Sequence, residues 1–210
     1  MGCSLLLVMS RFKGLLPAVL AAIALSACGG KIPPTHYYAL DLSVPPAPAS
    51  AKPLAESVMV MPMRAADMLT QDRIVYRASR EEVGYYDYHR WAEEPRSSVT
   101  AALMSKLRAN GSFGQVALFD GRTKADYILR GRISRLEEVD YEEGVKVYAA
   151  VELELIDGKD ASVAWSGVGE SSAPVATPEM RDVVGRMSEA MKQSIDKAAK
   201  DLDNFLRSAR

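Results

Sequence analysis

"GVKVYAAVELELIDGKDASVAWSGVGE", residues 144–170, is the stretch whose reading decides the fold. Val145, Val147, Ala149, Val151, Leu153 and Leu155 alternate with Lys146, Tyr148, Ala150, Glu152 and Glu154. A period of two places these sets on opposite faces of a strand. "DGKD" at 157–160 interrupts the pattern with turn residues, and a second strand-like run follows. The stretch predicts an antiparallel hairpin with one covered and one wetter face.

The cover is downstream. From Pro178 to Arg207 the period changes, with Met180, Val184, Met187, Met191, Ile195, Ala198, Leu202 and Phe205 forming one apolar stripe. A stripe this regular is core, so the helix is expected on the covered face of the sheet. Upstream, "ADYILRGRISRLEEVDY" is a strand candidate, with Glu137-Glu138 and Glu142-Glu143 expected as solvated charge flanking a turn. "PRSSVTAALMSKLRANG" predicts another helix: Pro95 suits its first turn, Val99, Leu103 and Leu107 recur every four residues, and Asn110-Gly111 stop it. Short strands are expected at "HYYALDL", at "SVMVMPM" with Pro62 ending it, at "RIVYRA" (73–78), in "EEVGYYDYHRWAEEP", and between Phe113 and Phe119. The expected class is α+β, a mainly antiparallel sheet with two main helices packed on one face.

Composition removes several function classes. The 210 residues are 48% hydrophobic and 25% charged, with net charge −1 and no block of like charge, so a basic nucleic-acid face has no support. Only two histidines are present, His36 and His89, with no ligand partners at helical or hairpin spacing. Gly167 and Gly169 lack the Gly-Lys-Ser/Thr of a P-loop and read as a strand bend or bulge. There is no Gly-x-Ser-x-Gly elbow, His-Glu-x-x-His pair or cysteine cluster. No catalytic residue, cofactor site or metal site is expected.

The only cysteines are Cys3 and Cys28, which leaves no thiol for a disulfide or nucleophile after residue 28. Arg11 and Lys13 precede an apolar run from Leu15 to Leu25, broken only by Pro17, and no acidic residue occurs before Asp41. The run suits a signal segment and falls short of the ~20 residues of a spanning helix. Met9 opens a second complete signal, "MSRFKGLLPAVLAAIALSAC". Leu25-Ser26-Ala27-Cys28 resembles a bacterial lipobox, whose chemistry needs the thiol because diacylglycerol is attached through a thioether. Residues 1–27 are then a signal peptide, 28–35 a lipidated tether, and 36–210 a single domain, with residues 28–210 together carrying a net charge of 24 − 27 = −3. Each buried CH₂ contributes ~0.8 kcal/mol, so two or three acyl chains on Cys28 would hold the protein at a membrane. Gly29, where a sorting Asp would retain a lipoprotein in the inner membrane, points by resemblance to the periplasmic face of the outer membrane.

"YYDYHRWAEEP", residues 85–95, stands out among the rest. On a regular strand Tyr86 and Tyr88 share one face, with Tyr85 and Trp91 on the other. Cross-strand packing is one reading. The other is an exposed aromatic patch, with Tyr86, Tyr88 and Trp91 contacting a partner protein or lipid tails.

A lipobox followed by "YYAL", "IVYR", "YYDYHRWAEEP", a helix ending "LRANGSFGQV", and then "ADYILRGRI" resembles the PqiC/YmbA family of ABC-type transport auxiliary lipoproteins. The resemblance implies a non-enzymatic outer-membrane lipoprotein working with an MCE-domain protein and an inner-membrane permease in lipid transport between membranes. It also implies a sandwich related to the N-terminal domain of TolB-like proteins, and it is compatible with a homo-oligomer. It supplies a defined role for Cys28 alone. Two other classes fit the residues: an envelope lipoprotein regulating cell-wall synthesis, and a periplasmic lipid carrier with a methionine-lined pocket. An eight-residue tether spans at most ~29 Å at ~3.6 Å per residue, which favours work close to the anchoring membrane.

Overall fold

The computed structural model describes residues 32–43, 54–141 and 144–208. Thr35–Arg210 forms one compact unit, distinct from Met1–Pro34. Its spine is β7 (Tyr127–Val139), the longest strand. Along one edge β7 pairs antiparallel with β8 (Lys146–Asp157), which pairs antiparallel with β9 (Val163–Pro174). Along its other edge β7 takes three parallel partners in succession: β2 (Ser57–Val60) at residues 127–129, β3 (Arg64–Ala65) at 132–133, and β4 (Arg73–Arg77) at 138–139. From β2 the sheet continues to β6 (Gln115–Leu118), parallel. From β4 it continues to β5 (Val83–Trp91), antiparallel, and then to β1 (His36–Tyr38), parallel.

The α+β class is therefore correct, but the sheet is mixed. Five of its eight pairings are parallel and three antiparallel, although the antiparallel ladders are the long ones. The expected hairpin is real, with Val147, Ala149, Val151, Leu153 and Leu155 buried and Glu152 exposed. The expectation of a mainly antiparallel sheet failed because β2, β3 and β4 are too short to show which strand they join. The three follow one another along one edge of β7, and the chain passes through β5, a helix and β6 before β7 enters in the same direction, parallel to all three.

The helices form where their signals stand. α1 (Pro95–Asn110) has Pro95 in its first turn and buries Val99, Leu103 and Leu107. Gly111 closes it at φ 64°, a left-handed conformation that favours glycine, and its N–H donates to Leu107 and Arg108 carbonyls. α2 (Met180–Ser208) buries its stripe from Met180 to Leu202 and then Leu206, with Phe205 half-buried beside it. Both helices enter one continuous core, and Lys106 Nζ meets Asp196 Oδ1 between them at 2.7 Å.

Gly167 and Gly169 correct a second expectation. Neither is a bulge; the register shift of this ladder lies near Leu155/Ile156. The ring of Trp165 covers the space where a Cβ of Gly167 would project. At Gly169 a Cβ would run into the carbonyl oxygen of Ser194 and lie 3.0 Å from Ala198 Cβ. The missing side chain lets α2 lie directly on β9. Flanking bonds fix that contact: Ser194 Oγ donates to Ala149 O (2.8 Å), Lys197 Nζ to Glu170 O (2.7 Å), and Ser171 Oγ to Gln193 Oε1 (2.6 Å).

Glu137 and Glu138 are the third correction. β7 runs through both and ends at Val139, so they do precede the connection to β8, but both are buried rather than solvated. Glu137 is 1% exposed and receives Arg77 through Nε (3.1 Å) and Nη2 (2.9 Å) and Arg135 through Nε (2.9 Å). Arg135 also lies 4.2 Å from the Tyr148 ring centre, which adds a cation–π contact. Glu142 and Glu143 lie outside the described residues.

Candidate functional site

Cys28, the expected lipidation residue, lies outside the described residues. The chain is described from Ile32, and the first strand, β1, begins eight residues after Cys28. β1 is an edge strand lying on β5, which carries the aromatic run. Any role for this run is decided by how β5 presents it.

β5 is irregular. Val83, Gly84 and Tyr85 pair with Arg77, Tyr76 and Val75, but Arg90 then pairs with Arg73, so β5 holds extra residues opposite Ile74. The bulge changes which side chains share a face. Tyr86 turns to the inner side, where its ring meets Tyr76 (5.0 Å between centres) and His89 (5.7 Å). His89 stacks with His36 across the β1–β5 pair, and its Nδ1 is hydrogen-bonded to the Tyr38 hydroxyl at 3.1 Å. Partial burial, then the neighbouring His36, lower the His89 pKa and favour neutral imidazole. Gly84 accommodates the Tyr76 ring, which occupies the space a Cβ there would need.

Tyr86 Oη donates to Glu138 Oε2 at 2.8 Å. Burial raises the pKa of both groups, more than the hydrogen bond lowers that of Glu138. This gives a part-buried hydroxyl–carboxyl pair beside the Tyr–His cluster. Among the described residues, no group of three or more His, Cys, Asp or Glu could hold a metal ion.

The predicted patch therefore divides. Trp91 is 7% exposed and belongs to the core, and Tyr86 is half-buried in the Tyr–His cluster, so neither offers the surface expected of it. Tyr88 is exposed, at 38%. The sequence reading missed its companion, Tyr37 of β1, which is 65% exposed. Tyr37 pairs with Arg90 and shares its side of the sheet, next to the bulged segment that carries Tyr88. Arg90 Nη1 pairs with Asp72 (2.7 Å) and Arg73 Nη1 with Asp87 (3.3 Å) along the same edge. The parallel β1–β5 register would have revealed Tyr37, but three residues of sequence carry no register information.

The methionines of α2 suggested for a lipid pocket, Met180, Met187 and Met191, are buried in the core. A separate open groove of about 470 Å³ runs past Pro62, Met63, Thr100, Ala101, Met104 and Leu118. Among the described residues no helix is long and apolar enough to cross a membrane.

A family model described as "ABC-type transport auxiliary lipoprotein component" matches residues 38–199, nearly all of the folded unit. The chain belongs to the ABC-type transport auxiliary lipoprotein family. This membership makes it a lipoprotein component associated with a transport system. A crystal structure of protein XCC0632 from Xanthomonas campestris has the same fold, with TM-score 0.71, 17% identity, and coverage of 84% of this chain and 100% of that one. Hypothetical protein CT253 from Chlamydia trachomatis is more distant, with TM-score 0.50, 10% identity, and coverage of 73% and 99%. Comparison with curated proteins returns no match.

Proposed function

We propose that this protein is lipidated at Cys28, resides on the periplasmic face of the outer membrane, and docks an MCE-type lipid-transport assembly there without performing a reaction itself. The observation that carries the proposal is the family match beginning at residue 38, ten residues after the lipobox cysteine. The eight-residue tether keeps the folded unit within ~29 Å of the bilayer, short of a role beyond the cell wall. Gly29 supports the outer-membrane destination by the sorting rule. An MCE-domain protein and an inner-membrane permease are the partners this reading requires.

The test is affinity capture of the mature lipidated protein from detergent-solubilised envelopes, followed by mass spectrometry. Enrichment of an MCE-domain protein is expected, with loss of the acylated amino-terminal peptide in Cys28→Ser and increased detergent sensitivity in a deletion strain. Capture of a cell-wall synthase with no MCE protein would overturn the transport reading. Lipid co-purifying in stoichiometric amount with the folded unit would make it a carrier.

A further inference from the structure

We propose that the β1–β5 edge is the face this domain lays against the bilayer, with Tyr37 and Tyr88 seated among the lipid headgroups. The inference rests on lipidation at Cys28 and adds an orientation to it. Three observations meet at this edge. β1 is the first strand after the anchor and has β5 on one side only, so its other side is open among the described residues. Tyr37 and Tyr88 are both exposed, outside the packed Tyr–His cluster. Arg90 and Arg73 flank them, each paired with an aspartate, so Asp72 and Asp87 are neutralised rather than left to repel acidic headgroups.

Chain length chooses the occupant. Residues 35 to 210 number 176, which gives a radius of gyration of about 16 Å. The tether's root-mean-square length, at about 5–6 Å × √8, is also roughly 16 Å. The edge from which the tether emerges thus lies within about one body radius of the membrane, at an effective concentration in the millimolar range. A weak contact suffices under those conditions. Tyrosine suits such a site because its ring is apolar and its hydroxyl reaches water, the property that concentrates it at membrane interfaces. The opposite edge of the sheet, β9, carries exposed Val168 (63%) and is the farther side in this arrangement.

The chain supplies its own test. After processing, Cys28 is a thioether and no other cysteine remains, so Tyr37→Cys and Val168→Cys each introduce one reactive thiol. Each mature lipidated variant is labelled with an environment-sensitive nitrobenzoxadiazole dye. It is then reconstituted into phosphatidylethanolamine–phosphatidylglycerol vesicles, with flotation and circular dichroism verifying anchoring and folding. The expected result is a blue-shifted emission at 37, quenched several-fold more by headgroup-level spin-labelled lipid than emission at 168. Equal, water-like emission at both positions in floating protein would overturn the proposed face and leave the anchor standing. Failure of folded, unsubstituted protein to float would overturn the anchor and the face together. A blue shift at 37 appearing only with a partner protein present would assign the edge to that partner and refute the lipid contact.

Discussion

Gly169→Ala isolates the contact that joins the last helix to the last strand. In most strands this change is favourable, because glycine in an element interior costs roughly 0.5–1 kcal/mol relative to alanine. Here the added methyl meets the Ser194 carbonyl oxygen, lies 2.8 Å from its carbon, and is 3.0 Å from Ala198 Cβ. Helix backbone cannot rotate aside as a side chain can, so α2 must shift away from β9. Overpacking a core costs about 1–3 kcal/mol. Loosening one of the three flanking hydrogen bonds adds about 1 kcal/mol. The expected loss is about 2–3 kcal/mol, which at about 2–4 °C per kcal/mol lowers Tm by roughly 4–12 °C. Thermal unfolding followed by far-ultraviolet circular dichroism reads the change. Gly185→Ala is the matched control: Gly185 lies exposed within α2 with no atom near its would-be Cβ. Removing a helix-interior glycine there should gain about 1 kcal/mol and raise Tm by about 2–4 °C. If Gly169→Ala melts at or above the wild-type temperature, the close approach of helix and strand does not determine how they pack, and the reasoning is wrong.

Three further perturbations have defined outcomes. Trp91→Ala should cost about 3–5 kcal/mol as a core truncation; a variant with wild-type melting and weakened partner binding would instead restore Trp91 to the surface patch. Glu137→Leu leaves Arg77 and Arg135 facing each other without their shared carboxylate, and urea denaturation should show a loss of about 3 kcal/mol, the low end for a broken buried pair because both arginines keep some solvent. An unchanged midpoint would mean the ion network is idle. Glu138 has a folded-state pKa raised above 4.5 by burial, so its contribution to stability is full below pH 4.5 and is lost as pH rises through the raised value. Glu138→Gln keeps an acceptor for Tyr86 and removes that titration. The Tm of the variant minus that of wild type should therefore increase between pH 4 and pH 7, and a pH-independent difference would contradict the raised pKa.

Long periodic segments were legible in the sequence. The β8–β9 hairpin and α2 each repeat their pattern often enough for faces and partners to follow, and α1 was bounded by its proline and glycine. The parallel branches were not legible, because four residues at Ser57–Val60 and two at Arg64–Ala65 fit many neighbours. Two side-chain readings failed where a strand is irregular. Glu137-Glu138 looked like turn charge because a carboxylate pair is normally solvated, and the register shift after Ile133 breaks the alternation that would have kept both in the strand. The facing of Tyr86 was misassigned because period-two reasoning assumes a regular strand, and the bulge opposite Ile74 breaks that assumption. Tyr37 became visible only when β1 was laid beside β5.

The position of β7 has a consequence for how the chain acquires its shape. Its parallel partners lie 62 to 69 residues upstream, so none of those ladders can close until residues 127–139 exist and are free to pair. Pairings over such sequence distances slow folding, because loop closure is completed before the contacts reward it. On the proposed outer-membrane destination, the precursor would have to remain threadable while it crosses the inner membrane. Placing the spine of the sheet past the middle of the polypeptide delays collapse of the preceding half until most of the chain has been made.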